Sequence, residues 1–414
     1  MLRNKKFQID KLFITILVLL SGILFAQENK SKFKIQYNPD IIDSWWLEKN
    51  NFGIEPKKLD FGSTWELKKD DFTYSINILF QEDKNYIGES FIKYNFSKKT
   101  FLRIGKYYRD FSSYLNDELS SGHMLISYNA QPMSKIGLVS SYKTKKFKEI
   151  DFDFGVSHGI FDTNNSYKKA PLLHEKFLYM NIRKNNYQFS IGFIHEAIWG
   201  GSTNDGRMPG NQPNTFKDFL KIIIADDGPD EGGPHPNALG NHLGVTEFIF
   251  KKNDNNRILK FYYQHFFEDT SGLRFRNEID GLWGLELDNY IQNSTFLLEY
   301  LHTTHQNMDP PYVAEAYYNH GVYQKGWSYK NYTLGNPFIN HLEVEPVDVI
   351  HMATAGDFLD YSYQIKLSRK TNISDSIKYQ INVNKKIDTN NTAGLFILNN
   401  EDKIGIGANI TWSL

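Results

Sequence analysis

The sequence predicts an all-β protein that folds as a transmembrane antiparallel β-barrel of about 18 strands (16–18), with a lumen plugged by long loops. Three observations predict this class. Apolar and polar residues alternate through many short segments, aromatic residues make up 15% of the chain, and the mean hydropathy is nevertheless negative. In a barrel, one face of each strand meets lipid while the other meets water or packed loops, and this produces such a pattern.

The alternation is clearest at the C-terminus, where apolar and polar or small residues alternate from Ile404 to Leu414. The same period of two recurs in other segments, at 72–80, 152–160, 187–193 and 377–383. A single alternating segment carries little information. A dozen or more through one chain indicate a single closed sheet.

The N-terminus has the three parts of a signal peptide: basic residues, an apolar run from Leu12 to Phe25, and Ala26 before a polar stretch. The run is shorter than the roughly 20 residues that a membrane-spanning helix needs. We therefore predict a signal peptide at 1–26, a short periplasmic entry segment at 27–60, and an outer-membrane barrel at 61–414. The chain has no Cys, which excludes disulfides, thiolate metal sites and a lipoprotein anchor.

The formal net charge is −1, which argues against nucleic acid as a partner. For a barrel exported to the outer membrane, the expected partners are outer-membrane lipid and the barrel-insertion machinery.

The connections between the alternating segments differ in length. Short polar turns are predicted at 81–85, 97–100, 184–186, 251–256 and 399–403. Two connections are much longer, at about 197–242 and 302–360, and loops of that size usually carry function. We expect them at the cell surface or folded into the lumen, because a barrel this wide is open unless something fills it.

These two loops combine aromatic side chains with amides, imidazoles and charged groups. Flat aromatic faces pack against the C–H surfaces of sugars, while the polar groups satisfy hydroxyl or acid groups. The sequence therefore predicts a polysaccharide site with stacking residues Trp199, Tyr317, Tyr318, Trp327 and Tyr329, and with polar contacts from Asn204, Asp205, Arg207, Asn241, His242, Asn319 and His320. The alternative is that these residues pack a plug, with Trp199 and Trp327 as anchors.

Signals for catalysis or metal binding are weak. His195 and Glu196 lack the second histidine of a zinc-binding helix, and no carboxylate pair has the spacing that singles out a glycosidase. No nucleophile elbow or phosphate-binding loop is present. The acidic run from Asp226 to Glu231 could hold calcium, although it lacks the spaced ligands of a helix-loop-helix site. We expect no catalytic residues, no metal site and no cofactor.

Several separated segments resemble the Wzi family of capsule-assembly outer-membrane proteins, in the form found in Bacteroidetes. They are 44–47, 51–54, 199–201, 239–244, 317–320, Tyr323, 326–329 and 335–337. The resemblance implies an 18-stranded barrel and a non-enzymatic, lectin-like role in binding exported capsular polysaccharide. Enterobacterial members also carry a periplasmic helical bundle, for which the stretch between Gln27 and Gly62 leaves little room.

The sequence is therefore compatible with three functions. The first is a surface lectin that binds capsular or other surface polysaccharide and helps to assemble the capsule. The second is a porin for small solutes or oligosaccharides, because a barrel of this width conducts unless plugged. The third, an outer-membrane hydrolase, rests only on the carboxylates and histidines of the loops.

Overall fold

The structure is a computed structural model that describes residues 28–39, 52–228, 238–268, 274–291, 293–306, 317–373, 377–400 and 403–414. The predicted signal peptide at 1–26 lies outside these residues. Within them the chain forms one short helix, α1 (Phe216–Ile224), and 24 strands. No helix in this part of the chain is long and apolar enough to cross a membrane.

The strands, in chain order, are β1 (Glu28–Tyr37), β2 (Leu59–Lys69), β3 (Phe72–Phe80), β4 (Asn85–Ile87), β5 (Ser90–Ser97), β6 (Thr100–Tyr107), β7 (Met133–Lys143), β8 (Ile150–Ile160), β9 (Tyr167–Lys169), β10 (Leu172–Lys184), β11 (Tyr187–Trp199), β12 (Ser202–Thr203), β13 (Gly210–Asn211), β14 (Asn241–Asp254), β15 (Arg257–Phe267), β16 (Gly281–Asp288), β17 (Ser294–His302), β18 (Ser328–Tyr329), β19 (Tyr332–Thr333), β20 (Asp348–Phe358), β21 (Tyr361–Lys370), β22 (Ile377–Lys386), β23 (Asn391–Asn400) and β24 (Lys403–Ser413).

Eighteen of these strands form a closed antiparallel barrel. Each pairs with its neighbours in chain order, and the barrel closes where β1 pairs with both β2 and β24, so that Ile35 lies opposite Phe61 on one side and Ile410 on the other. The short strand β4 adds three residues to the sheet by pairing with β3. Strands β9, β12 and β13 form a small separate sheet, and β18 pairs with β19. The predicted barrel class and strand number are confirmed.

The period of two in the sequence corresponds to the two faces of the wall. In β11, Phe189 and Phe193 are about 40% exposed, whereas Ser190 and Ile194, which directly follow them, are buried. In β24, Ile404, Ile406 and Ile410 are likewise exposed. The exposed apolar residues form the outer face, which suits lipid, and the alternating buried residues point into the barrel.

The connections give the barrel two different ends. At one end, here called the turn end, every connection between barrel strands has six residues or fewer, and several turns use a residue at positive φ, such as Asn185 and Asn255. All the long connections lie at the other end, here called the loop end. We assign the loop end to the cell exterior, because outer-membrane barrels place short turns in the periplasm. Two of the predicted short turns, 81–85 and 399–403, lie at the loop end.

The structure corrects two predicted boundaries and adds one long connection. Strand β1 lies inside the segment 27–60, so the barrel begins earlier than the entry segment predicted there. Strand β20 lies inside the predicted loop 302–360, so that loop ends before Asp348. A third long connection, residues 108–132, was missed. Strand β20 was not recognised because its inward positions include His351 and its outward ones include Thr354, which weakens the contrast between its faces.

Candidate functional site

The connection 108–132, here called the inner loop, lies against the inner face of the wall. Glu247 on β14 accepts hydrogen bonds from Ser112 Oγ at 2.7 Å, from His123 Nε2 at 2.9 Å and from Tyr114. Glu299 on β17 accepts from the Ser120 hydroxyl and the Ser121 amide, both at 2.6 Å. Two inward carboxylates therefore hold this loop from two parts of the wall.

The inner loop is also braced within itself. The guanidinium of Arg109 donates to both oxygens of Asp117 at 2.8 Å, and to the carbonyl oxygen of Ile126 at 3.0 Å. Burial opposes the charge on Arg109, but the adjacent Asp117 carboxylate outweighs that effect, so the pKa of Arg109 is raised. An ion pair in which one guanidinium nitrogen contacts both carboxylate oxygens, beside a second nitrogen on a carbonyl, fixes the path of the loop between its two ends.

Residues 317–347, here called the late loop, pack directly onto the inner loop. The indole of Trp327 donates to the Leu125 carbonyl at 2.7 Å. The amide of Ser127 donates to the Leu334 carbonyl at 2.7 Å, and Asn336 Nδ2 donates to Gly122 O at 2.8 Å. The two loops therefore form one hydrogen-bonded layer, although only the late loop was singled out from the sequence.

The five predicted stacking residues are all buried in this structure. Trp327 and Tyr318 are fully enclosed, and the Tyr318 hydroxyl donates to the Met124 carbonyl. Tyr317 donates to Asp280 and packs edge-on against a phenylalanine ring, while Tyr329 is also enclosed. Trp199 is 8% exposed. Their positions agree with the packing alternative that the sequence left open.

The residues predicted to make polar contacts form three groups in the structure. Asn204, Asp205 and Arg207 are exposed at the loop end, and the Arg207 amide donates to the Gly321 carbonyl of the late loop at 2.8 Å. Asn319 and His320 are half-buried in the late loop, where Asn319 donates to the Asn340 carbonyl at 3.1 Å and His320 Nδ1 accepts from two backbone amides. The structure brings the first two groups together.

Asn241 and His242 belong elsewhere, because neighbouring residues of a strand point to opposite faces. His242 shares the outer face of β14 with Phe248, and its Nδ1 lies 2.9 Å from His195 Nε2. Asn241 lies six residues before Glu247 on the same strand and therefore points to the same inward side, and both residues are buried. The structure therefore does not join these two residues into one surface site.

A large open cavity at the loop end was not predicted. It has a volume of about 980 Å³ and lies beside β4, which pairs with β3 alone among the described strands. We call it the rim cleft. Its lining residues are Gly53, Glu55, Gln81, Glu82, Asp83, Lys84, Asn85, Tyr86, Ile87, Lys106, Gln131, Lys330, Asn331 and Tyr332.

The charges of the rim cleft are unevenly matched. On one side, Lys84 forms an ion pair with Glu55 at 3.1 Å, and Asp83 pairs with Lys57 at 3.2 Å. On the other side, no carboxylate of the described chain lies within ion-pair distance of Lys106 or Lys330. Lys330 donates to the neutral Gln131 amide at 3.2 Å. The cleft therefore offers two ammonium groups without carboxylate partners beside amides and tyrosines, while Glu82, elsewhere in its lining, is a carboxylate without an ion pair among the described residues.

The described residues contain no cluster of histidines and carboxylates suited to a metal ion. The acidic run 226–231 continues into residues that lie outside the described part of the chain. Calcium binding by this run therefore stays a possibility raised by the sequence alone.

Sequence reasoning missed the residues that hold the inner loop. Glu247 and Glu299 are each the only charged residue in a run without other charges, at 243–250 and 295–301, and both point into the barrel. That isolation was the available signal, because a charge on an inward position of a strand is kept only when it has partners. No local signal identifies Lys106 and Lys330, which meet only after folding.

A closed 18-stranded barrel with an apolar outer face, short turns at one end and long loops at the other defines an outer-membrane barrel protein. The family model described as "Capsule assembly protein Wzi" matches residues 43–405. The chain therefore belongs to the Wzi family of capsule assembly proteins, and it acts in capsule assembly at the outer membrane.

A search of curated proteins found no match. Among solved structures, mutants of the Rhodopseudomonas blastica porin are similar over 93% of this chain and 98% of theirs. One of them is 8% identical with a TM-score of 0.42, and a triple mutant is 8% identical with a TM-score of 0.39.

Proposed function

We propose that the protein is a lectin of the outer membrane: it binds exported capsular polysaccharide at its loop end and holds it at the cell surface without chemical change. The observation that carries the proposal is the rim cleft, because two lysines without carboxylate partners line it beside amide side chains. Ammonium groups of this kind attract carboxylates or phosphates, and amides satisfy neighbouring hydroxyls. The preferred ligand is an acidic polysaccharide.

The size of the cleft supports a saccharide ligand. A volume of about 980 Å³ lies at the upper end of the range for small-molecule sites and accommodates several sugar units. Tyr86 and Tyr332 add aromatic surface to the lining, which suits the C–H faces of sugars. The cleft opens at the loop end, where an exported polymer would be met.

Among the residues predicted from the sequence, we propose that Asn204, Asp205 and Arg207 make secondary contacts with the polymer, because they are exposed at the same end. Tyr318 and Trp327 would contribute by holding the loops in place. Trp199 and His320 line a narrow cavity between the first long loop and the late loop. We also propose that outer-membrane lipid contacts the apolar outer face and that the barrel-insertion machinery assembles it.

The test is binding of purified, detergent-solubilised protein to acidic capsular polysaccharide, measured for the wild type and for the double variant Lys106→Gln/Lys330→Gln. We expect affinity to fall at least about tenfold, which corresponds to about 1.4 kcal/mol. Wild-type binding should also weaken as salt is raised, because charge attraction between exposed groups is screened.

The matched control is Lys98→Gln/Lys99→Gln, which removes the same charge from two exposed lysines at the turn end. It should bind like the wild type. Equal affinity in both double variants would contradict the cleft as the site. Complementation of a capsule-deficient deletion strain, scored by capsule staining, provides the corresponding test in cells.

A hydrolase remains the alternative to a non-enzymatic lectin. Prolonged incubation of the protein with the same polysaccharide should release no reducing ends. Shortened chains in the product would show that the proposed absence of catalysis is wrong.

A further inference from the structure

Helix α1 lies on the outside of the barrel. The ring of Phe219 packs against Trp199 with centroids 5.5 Å apart, and against His174 at 5.6 Å and His158 at 5.2 Å. Ile222 is fully buried in the same contact. Because Trp199 shares its face of β11 with the exposed Phe189 and Phe193, the helix covers the outer wall and not the lumen.

The helix is well defined by its own sequence. Thr215 and Asp218 form a reciprocal capping box at its start, and Ala225 ends it in the left-handed conformation. The ammonium group of Lys176, on the outer face of β10, donates to the carbonyl oxygen of Ile223 in the last turn. This contact satisfies an otherwise free terminal carbonyl and ties the helix to the wall.

One exposed flank of the helix is apolar. Phe216 is 75% exposed, Leu220 48% and Ile224 72%. Residues four apart lie on one side of a helix, so these three form a continuous stripe. Leaving them in water forgoes the favourable free energy of burying three large apolar side chains.

The stripe continues the lipid-facing surface of the barrel. His158, Lys176 and His195 lie on the outer face of three neighbouring strands. The next outward residue of each strand, two positions nearer the turn end, is exposed, and these residues are Val156, Leu178 and Phe193. The helix therefore sits at the upper border of the apolar belt. This is where an amphipathic helix enters the boundary between headgroups and acyl chains.

We propose that α1 is a membrane-interface anchor whose Phe216, Leu220 and Ile224 side chains insert among the acyl chains of the outer leaflet. The occupant of the stripe is lipid, because the surface to which it is joined is the lipid-facing wall. The anchor ties the first long loop to the membrane surface and does not depend on the proposed lectin function.

The chain contains no cysteine, so single spin labels can be attached without altering other sites. The labelled variants are Phe216→Cys, Leu220→Cys and Ile224→Cys in the full-length protein, reconstituted in vesicles of phosphatidylethanolamine and lipopolysaccharide. Lys217→Cys is the matched control on the same helix, with Leu178→Cys as the lipid reference and Asn204→Cys as the water reference. Collision with oxygen, which partitions into lipid, is compared with collision with a water-soluble nickel chelate.

We expect the oxygen-to-nickel ratio at the three stripe positions to be several-fold higher than at Lys217→Cys and to approach that of Leu178→Cys. A ratio equal to that of Asn204→Cys would show the stripe in water and overturn the proposal. Dipolar broadening that grows with the protein-to-lipid ratio would assign the stripe to a second copy of the chain, and this also overturns it. Because all these positions are exposed, the labels leave the packed face of the helix intact.

Discussion

The imidazole of His123 in the inner loop donates from Nε2 to the carboxylate of Glu247 on the barrel wall, across 2.9 Å. Its other nitrogen, Nδ1, accepts from the backbone amide of Leu125 at 3.0 Å. Burial lowers the pKa of His123, although the Glu247 hydrogen bond acts in the opposite direction. A neutral ring with its proton on Nε2 satisfies both contacts, so one residue links the path of a loop to an inward position on a strand.

Replacing Glu247 should therefore loosen the loop layer. Glu247→Ala removes the carboxylate that accepts from Ser112, Tyr114 and His123, so these buried groups lose their shared charged acceptor. We expect a loss of at least about 3 kcal/mol. The unfolding midpoint in detergent, followed by tryptophan fluorescence, measures it.

Two further variants complete that test. Glu247→Gln keeps one acceptor oxygen and should lose less. Thr392→Ala alters an inward position of β23 that lines the lumen below the loop layer, and it should leave the midpoint unchanged. A Glu247→Ala protein as stable as Thr392→Ala would show that the carboxylate does not hold the loop.

Trp327 should act through packing and not through direct contact with sugar. It is fully buried, and its indole donates to Leu125 O. Trp327→Leu keeps apolar volume but loses the ring and the hydrogen bond, so we expect a stability loss of about 2 kcal/mol or more. Polysaccharide affinity, measured below the unfolding midpoint, should stay within about twofold of the wild type.

A stacking role would give the opposite pattern. If Trp327→Leu lowered affinity tenfold with little change in the unfolding midpoint, the ring would contact the ligand after all.

The inner loop should limit conduction. A barrel of this width has an aqueous channel when nothing occupies it, and the inner loop contacts the wall at both Glu247 and Glu299. Replacing residues 112–126 with a short glycine-serine linker should raise single-channel conductance in planar bilayers several-fold above a low wild-type value. Shortening the exposed connection 162–165 serves as the control and should change little. A large steady wild-type current would favour the porin alternative instead.

The late loop should lose stability in acid. Burial lowers the pKa of His320 to about 4, aided by Arg207, and lowers the pKa of His341 to about 4, aided by Lys325. An unfolded histidine titrates near 6.5, so between about pH 6.5 and pH 4 the unfolded chain binds more protons than the folded one. The stability from each neutral ring is present above pH 6.5 and is lost as pH falls, by on the order of 1 kcal/mol at pH 5.

The measurement is the unfolding midpoint from pH 7.5 to pH 4.5. His320→Asn supplies an oxygen that can accept from the same backbone amides without titrating, so it should show a shallower decline than the wild type. Parallel pH profiles for the two proteins would exclude His320 as a source of the acid sensitivity.

The sequence alone determined the barrel, because a period of two is a local property of each strand. Ile404, Ile406 and Ile410 alternate with polar residues whatever their neighbours are, and one wet and one lipid-facing side require that pattern. The positions of the two longest loops and the resemblance to the family were also evident from the sequence. Strand β20 was not predicted because its two faces differ little in hydropathy. The inner loop was not predicted because apolar residues such as Leu125 do not reveal whether they will be buried in a strand or in a loop.

Only the tertiary structure decided what the loops do. Tyr318 and Trp327 look like sugar-stacking residues in a polar loop, and they are buried because the inner loop, distant in sequence, covers them. Lys106 and Lys330 become one positive site only when a strand end and the late loop meet at the rim. Burial and charge pairing depend on which distant segments come into contact, and no local pattern of residues encodes that.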